Sequence, residues 1–306
     1  MESPQESPVF SSILFTLAVI GLTACASQDQ SYDDMFPSWS PDGTRIVFQS
    51  NRTGDDELYL VNVDGTDLQR LTATPGRDAH PNISPDGRRI VFQSPRNGSG
   101  SREVDLYVMD VDGKNVRRLT RNATFSGVPA WSPDGKHIAF QIRVIPQGKS
   151  WDDGHWQIAL MDSAGGHQKI VTHDDADSQV PNWSPDGSRI VFWSDKSGNN
   201  ELYLMDCSTI AVTQLTDNKA DDIAAAWSPD GSEIAFLSDR AGTYDVYVMK
   251  PDGSGLRRIS HGTGSQGVPF WNADGKRILL NIKKKGSMRI GILTIESGNV
   301  ELLGKR

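Results

Sequence analysis

The chain has 306 residues, 37% of them hydrophobic and 23% charged, and a formal net charge of −8. That balance excludes a general binder of phosphate backbones, since an acidic surface repels nucleic acid and the one basic run is Lys283-Lys284-Lys285. The 29 Gly are spread evenly, which points to regularly spaced turns and not to one flexible linker.

The first element is an apolar run of ten residues, Ile13 to Leu22. It is too short to cross a bilayer as a helix, and it suits the hydrophobic region of a secretion signal. It leads into Leu22-Thr23-Ala24-Cys25, which resembles the bacterial lipobox, in which the cysteine is lipidated and becomes the first mature residue. The segment before the run departs from the usual pattern, holding Glu2 and Glu6 and no Lys or Arg. Cleavage by ordinary signal peptidase, with Cys25 incidental, is the alternative. The expected organisation is a lipoprotein-type signal peptide over 1–24, a short linker over 25–32 and one folded domain over 33–306. With lipid on Cys25, Cys207 has no partner for a disulfide, and it reads as a tolerated small residue after a strand.

From there the chain repeats itself. Trp-Ser-Pro-Asp-Gly or a relative begins at Trp39, Ile83, Trp131, Trp183, Trp227 and Trp271, at intervals of 44, 48, 52, 44 and 44 residues. A short run ends at each Trp, and Pro and Gly in the following motif suit a type I turn. Next comes an apolar strand, such as Ile46-Val47-Phe48, Ile90-Val91-Phe92 or Ile190-Val191-Phe192. A third strand follows, as in Leu58-Tyr59-Leu60-Val61 or Leu202-Tyr203-Leu204-Met205, and the unit closes on Leu-Thr or Ile-Ser. The second strand is apolar at consecutive positions, so both of its faces are expected to be covered. Blades stacked about an axis provide that cover, whereas a sandwich would leave outer faces polar. The expected fold is all-β, a six-bladed β-propeller of four-stranded antiparallel blades. No strand is exchanged between the chain ends, so the ring is expected to close by face packing of blades 1 and 6.

The repeated P-x-W-S-P-D-G, I-x-F, L-Y-x-M and L-T pattern resembles the propeller repeats of TolB-like proteins, over about residues 33–303. TolB carries an α/β domain before its propeller, and here the first repeat follows almost directly after Cys25. The resemblance implies a protein-interaction scaffold in the bacterial envelope, periplasmic or otherwise outside the cytoplasm and membrane-anchored.

Strand order fixes the rims. The loops leading into each first strand, and those joining second and third strands, emerge on one rim; the Ser-Pro-Asp-Gly turns lie on the other. On the first rim, Asp34, Asp78 and Asp222 occupy one ring of equivalent positions, and Asp33, Asp177 and Asp221 the ring one residue earlier. These acids are expected to surround the channel mouth and attract cations or basic peptide groups. The bland alternative is that they cap surface turns. The two longest repeats owe their length to rim loops, 94–103 and 143–155, the second carrying Trp151-Asp152-Asp153. An exposed Trp beside acids suits a protein or carbohydrate contact; a loop folded on its own blade with Trp151 as a plug is the alternative.

The expected ligand-binding residues are therefore Asp34, Asp78, His80, Asp177, Asp221, Asp222, Trp151, Asp152 and Asp153, with Cys25 as the lipidation site and no catalytic set. The six histidines fall at dissimilar repeat positions, and no hydrolase, metalloprotease or phosphate-loop motif is present. Only His80 with Asp78 and Asp34 invites a test as a catalytic arrangement. No cofactor is expected, although a divalent cation at the mouth fits the acids. The expected partners are an envelope protein or peptide, the membrane through the lipid on Cys25, and no nucleic acid; the chain is expected to be monomeric. The competing reading is a propeller enzyme, a polysaccharide lyase or hydrolase with a metal at the channel mouth.

Overall fold

A computed structural model describes residues 32–304, apart from 99, 101 and 123 and the side chain of Gln266. The signal peptide and Cys25 lie outside the described residues. Six sheets of four antiparallel strands follow one another, each in sequence order from first to fourth strand. The first strands are Asp34–Trp39, Ala79–Ile83, Ser126–Trp131, Ser178–Trp183, Asp222–Trp227 and Gln266–Trp271. Each packs against the first strands of both neighbours, blade 6 against blade 1 included, so together they enclose an axial channel. The chain is a six-bladed β-propeller.

The packing explains why the second strands are apolar throughout. Consecutive side chains of a strand point to opposite faces, and here each face meets a different blade. Val47, Leu58 and Leu60 of blade 1 join Ile83, Ile90 and Phe92 of blade 2. Ile46, Phe48 and Tyr59 of the same blade join Leu279 and Ile290 of blade 6. Ile46, Val47, Phe48 and their counterparts in the other five blades are at most 2% exposed. Each Ile, Val, Leu or Phe among them contributes roughly 1.5–3 kcal/mol by leaving water. In three blades the Trp that ends the first strand adds a polar rivet, whereas Trp131 and Trp227 Nε1 are buried without a partner. Trp183 Nε1 donates to the Ala130 carbonyl (3.2 Å), Trp271 Nε1 to Ala226 (3.2 Å) and Trp39 Nε1 to Phe270 (3.1 Å), each one blade back.

The last of these bonds crosses the seam between blades 6 and 1. The seam closes by face packing with no strand exchanged, and Asn281 reinforces it. Its Oδ1 accepts from Phe36 N–H (2.9 Å) and its Nδ2 donates to the Asp34 carbonyl (3.1 Å). On the outside of the seam Gly65, at φ +83°, sits so close to Gly304 that a Cβ would lie 2.5 Å from its Cα.

The Leu-Thr or Ile-Ser that ends most repeats also has a physical role. Thr120 Oγ1 accepts from Leu106 N–H (2.9 Å) and donates to Asp105 (2.7 Å), while Arg118 of the fourth strand pairs with the same carboxylate. Thr72 with Glu57 and Arg70, and Ser260 with Asp245 and Arg258, repeat the arrangement. A buried acid thereby pins the short outer strand to the third.

Candidate functional site at the channel mouth

Every first strand carries a register shift. Phe36, His80, Val128, Val180 and Ala224 take φ between 48° and 55° at equivalent positions, a costly conformation for residues with a side chain. In four blades a second-strand amide anchors the bulge of the next blade. Gln49 Oε1 accepts from His80 N–H (3.2 Å), Gln93 from Val128 (3.0 Å), Gln141 from Val180 (3.3 Å), and Asn281 from Phe36 as described. Trp193 and Leu237 hold this position in the other two blades. These amides were not singled out in the sequence, although they follow the I-x-F signature directly.

The bulges aim side chains at the axis. Phe36 stacks on His80 of blade 2 with ring centroids 3.8 Å apart, and its ring lies 3.5 Å from where a Cβ on Gly267 of blade 6 would stand. A side chain that meets the first strands of both neighbours lies on the channel side. His80 Nδ1 is buried and has no hydrogen-bond partner. Burial, with the nearby Arg77 charge, pushes its pKa down to about 3, so the ring is neutral at physiological pH.

The acids of the first ring are each paired with an arginine of their own blade. Arg96 Nη2 donates to Asp78 (2.6 Å), its Nε to Ser94 (3.0 Å), and its guanidinium lies over Phe92 and Tyr107 (5.1 and 4.9 Å). Arg52 treats Asp34 and Ser50 the same way, and Arg240 treats Asp222 and Ser238. Asp78 and Asp222 have fully buried side chains, so an unpaired charge there would be costly, and the sequence supplies an arginine 18 residues later in each case. The Asp78 Oδ1 atom is left buried and unpartnered. Neither Asp34 nor Asp78 bonds to His80, so the structure does not assemble the three into an acid–base group.

The second ring stitches blades together. Asp33 Oδ1 accepts from Met288 N–H (2.7 Å), Asp177 Oδ1 from Trp156 N–H (2.9 Å) and Asp221 Oδ1 from Asn200 N–H (3.1 Å), each in the preceding blade. Arg77 fills the same place in blade 2 and pairs with Asp56 of blade 1 (2.6 Å). These acids therefore serve the frame of the rim.

The long loop of blade 3 folds onto its own blade. Trp151, Asp152 and Asp153 form a single 3-10 turn, and Asp153 accepts from the Ser150 hydroxyl (2.7 Å) and N–H (2.9 Å); Asp152 is exposed. Trp151 is half-buried and meets Trp156 edge-on (6.4 Å), and Trp156 in turn meets Phe125 (5.1 Å). The Arg143 guanidinium lies between the two Trp rings (5.6 and 5.3 Å), and Arg102 of blade 2 lies over Trp151 (5.4 Å). Arg143 donates to the Trp151 carbonyl (3.2 Å), and its nearest carboxylate is Asp177, 3.7 Å away. Its Nε is buried without a partner. The charged member of this cluster, Arg143, lay outside the acid-centred reading.

Among the described residues no three His, Cys, Asp or Glu side chains stand together as a metal-binding group. Burial, with Asp206 and Asp186 nearby, raises the half-buried Cys207 thiol to about 11, so it is a protonated thiol at neutral pH.

The chain matches the TolB β-propeller domain over residues 24–101 and 99–306 and belongs to that family. Solved structures share the fold. A protein assigned as TolB from Agrobacterium tumefaciens is 24% identical, covering 79% of this chain and 86% of that one, with a TM-score of 0.66. TolB from Acinetobacter baumannii is 18% identical over 90% of this chain and 65% of that one, also at 0.66. Oligogalacturonate lyase from Vibrio parahaemolyticus is 17% identical over 90% and 78%, at 0.63. No curated protein sequence matches. At these identities the neighbours establish architecture, and they include both TolB proteins and an enzyme.

Proposed function

We propose that the chain is an exported propeller, held at the bacterial envelope by lipid on Cys25, whose channel-mouth rim binds a protein or peptide and performs no catalysis. The observation that carries this reading is the pairing of neutralised acids with unsatisfied polar atoms. Asp34, Asp78 and Asp222 are tied to arginines, while His80 Nδ1, Asp78 Oδ1 and Arg143 Nε are buried without partners, His80 against the Phe36 ring and Arg143 against Trp151 and Trp156. Unpaired polar atoms beside apolar walls reward a ligand that supplies the missing hydrogen bonds. A neutral His80 without a carboxylate neighbour has little use as a general acid or base. Membership of the TolB propeller family supports a scaffold role.

The similarity to oligogalacturonate lyase, one structure of which is described in complex with manganese, sustains a second reading as a lyase. That no three His, Cys, Asp or Glu side chains stand together among the described residues favours the first reading. Affinity capture from envelope extract tests the first reading: a specific protein should bind the intact chain and be lost with Arg143→Met plus Trp151→Ala. Cleavage of oligogalacturonate on addition of Mn2+ would overturn it in favour of the second.

A further inference from the structure

The three consecutive lysines do not lie on an edge strand, where such residues block aggregation. The second and third strands of blade 6, Arg277–Lys284 and Ser287–Thr294, are both inner strands of their sheet. Pairing with the first strand ends at Asn281 opposite Gln266, and the ladder continues as a two-stranded hairpin through Lys283↔Met288 and Lys284↔Ser287. Its turn is Lys285-Gly286, with φ of 50° and 88°. Two positive φ values define a turn that asks for Asn or Gly, so a lysine there is conformationally costly. Lys283, Lys284 and Lys285 are all exposed, and no ion pair joins them to a described acid. Their nearest acidic surroundings include Glu301, which lines a shallow concavity with Lys284.

The same hairpin grips the chain where it enters the propeller. Met288 N–H donates to Asp33, Arg289 donates to the Tyr32 carbonyl, and the Tyr32 ring lies under the Arg289 and Arg52 guanidinium groups (4.4 and 4.8 Å). The lysines and the point of attachment of the N-terminal segment therefore form one local unit.

We propose that the Lys283–Lys285 hairpin is a docking surface for an anionic phospholipid bilayer. The inference rests on reading Cys25 as lipidated. Six residues lie between Cys25 and Tyr32, a path of seven Cα–Cα steps. Fully extended they span at most about 25 Å, so the tether holds the blade 6–blade 1 seam within that distance of the membrane. A chain of net charge −8 is repelled by an anionic surface except where it presents cations locally, and this hairpin is the presented cluster nearest the tether. It projects from the channel-mouth rim, so docking turns the mouth toward the bilayer and favours partners at the membrane surface.

The test compares partitioning of the full chain onto vesicles of phosphatidylcholine alone and of phosphatidylcholine with phosphatidylglycerol. It uses Cys25→Ser, and Cys25→Ser with Lys283→Gln, Lys284→Gln and Lys285→Gln. The parent should prefer the anionic vesicles, and the three Gln substitutions should lower that partitioning by at least about 10-fold, since each lysine near an anionic surface is worth about a factor of five. High salt should erase the preference. Thermal melts check that the exposed substitutions leave the fold intact. Equal partitioning of the two variants overturns the proposal, as does an effect confined to capture of a protein partner. Mass spectrometry of the Cys25 peptide from the wild-type chain reports separately on lipidation; an unmodified Cys25 there with vesicle preference intact refutes the anchor and leaves the lysine contact standing.

Discussion

At the level of single residues, the mouth is built from charges that cancel. Asp78 is fully buried on its side chain whereas Asp34 keeps 12% exposure, although both bond to an arginine 18 residues later. Arg96→Met should therefore destabilise the chain by about 3–5 kcal/mol, because it leaves a buried carboxylate unpaired, and Arg52→Met by about 1 kcal/mol. Denaturant unfolding of the two variants measures the contrast. His80 gives a pH signature. Its pKa is held well below the ordinary 6.5, so the folded state resists a proton that the unfolded chain accepts. The resulting penalty is absent above about pH 6.5 and grows as pH falls toward 3. Melting temperature followed over that range should drop less steeply for His80→Phe than for the parent. The sequence marked His80 as near the channel by register alone; the arginines that take up Asp34 and Asp78 recur 18 residues after each acid, as Arg52 and Arg96, a spacing that was legible but was not used.

At the level of strands and turns, nearly every repeated residue has a structural duty. In the turns after the first strands, Ser40, Ser84, Ser132, Ser184 and Ser228 donate to the Asp two residues on. Those hydroxyl bonds, with backbone N–H groups, hold Asp42, Asp186 and Asp230 down to about 2. Depressed carboxylates stabilise the fold above about pH 4 and lose that effect as pH falls toward 2, which adds a second acid-side decline below the one from His80. The Leu-Thr closure is also testable. Thr120→Val removes a hydroxyl that both accepts from Leu106 and donates to buried Asp105, and a loss of about 1–3 kcal/mol is expected on denaturation. These motifs were legible because one turn motif recurs six times, and repetition separates pattern from chance. The Gln49, Gln93 and Gln141 anchors were harder to see. Their position holds Trp193 and Leu237 in other blades, so the polar role looks like an irregularity until the bulge opposite it is known.

For the whole molecule, the blade count followed from periodicity and from consecutive apolar residues in the second strands. The site followed less well. Register placed Asp177, Asp221 and Asp222 on the correct rim, but rim position says nothing about whether an acid is free, and each of these bonds to a group that the sequence holds far away. The Trp151 loop shows the same limit: its plug-like packing depends on Arg143 and Trp156, which only the folded chain brings together. The proposed reading assigns to recognition three of the buried atoms without partners, His80 Nδ1, Asp78 Oδ1 and Arg143 Nε. The most direct measurement is capture of a partner from envelope extract by the wild-type chain and by Arg143→Met plus Trp151→Ala, with both proteins shown to be folded. A specific protein retained by the first and lost by the second is the predicted result; an identical bound set, or turnover of a substrate by the purified wild-type chain, would contradict it.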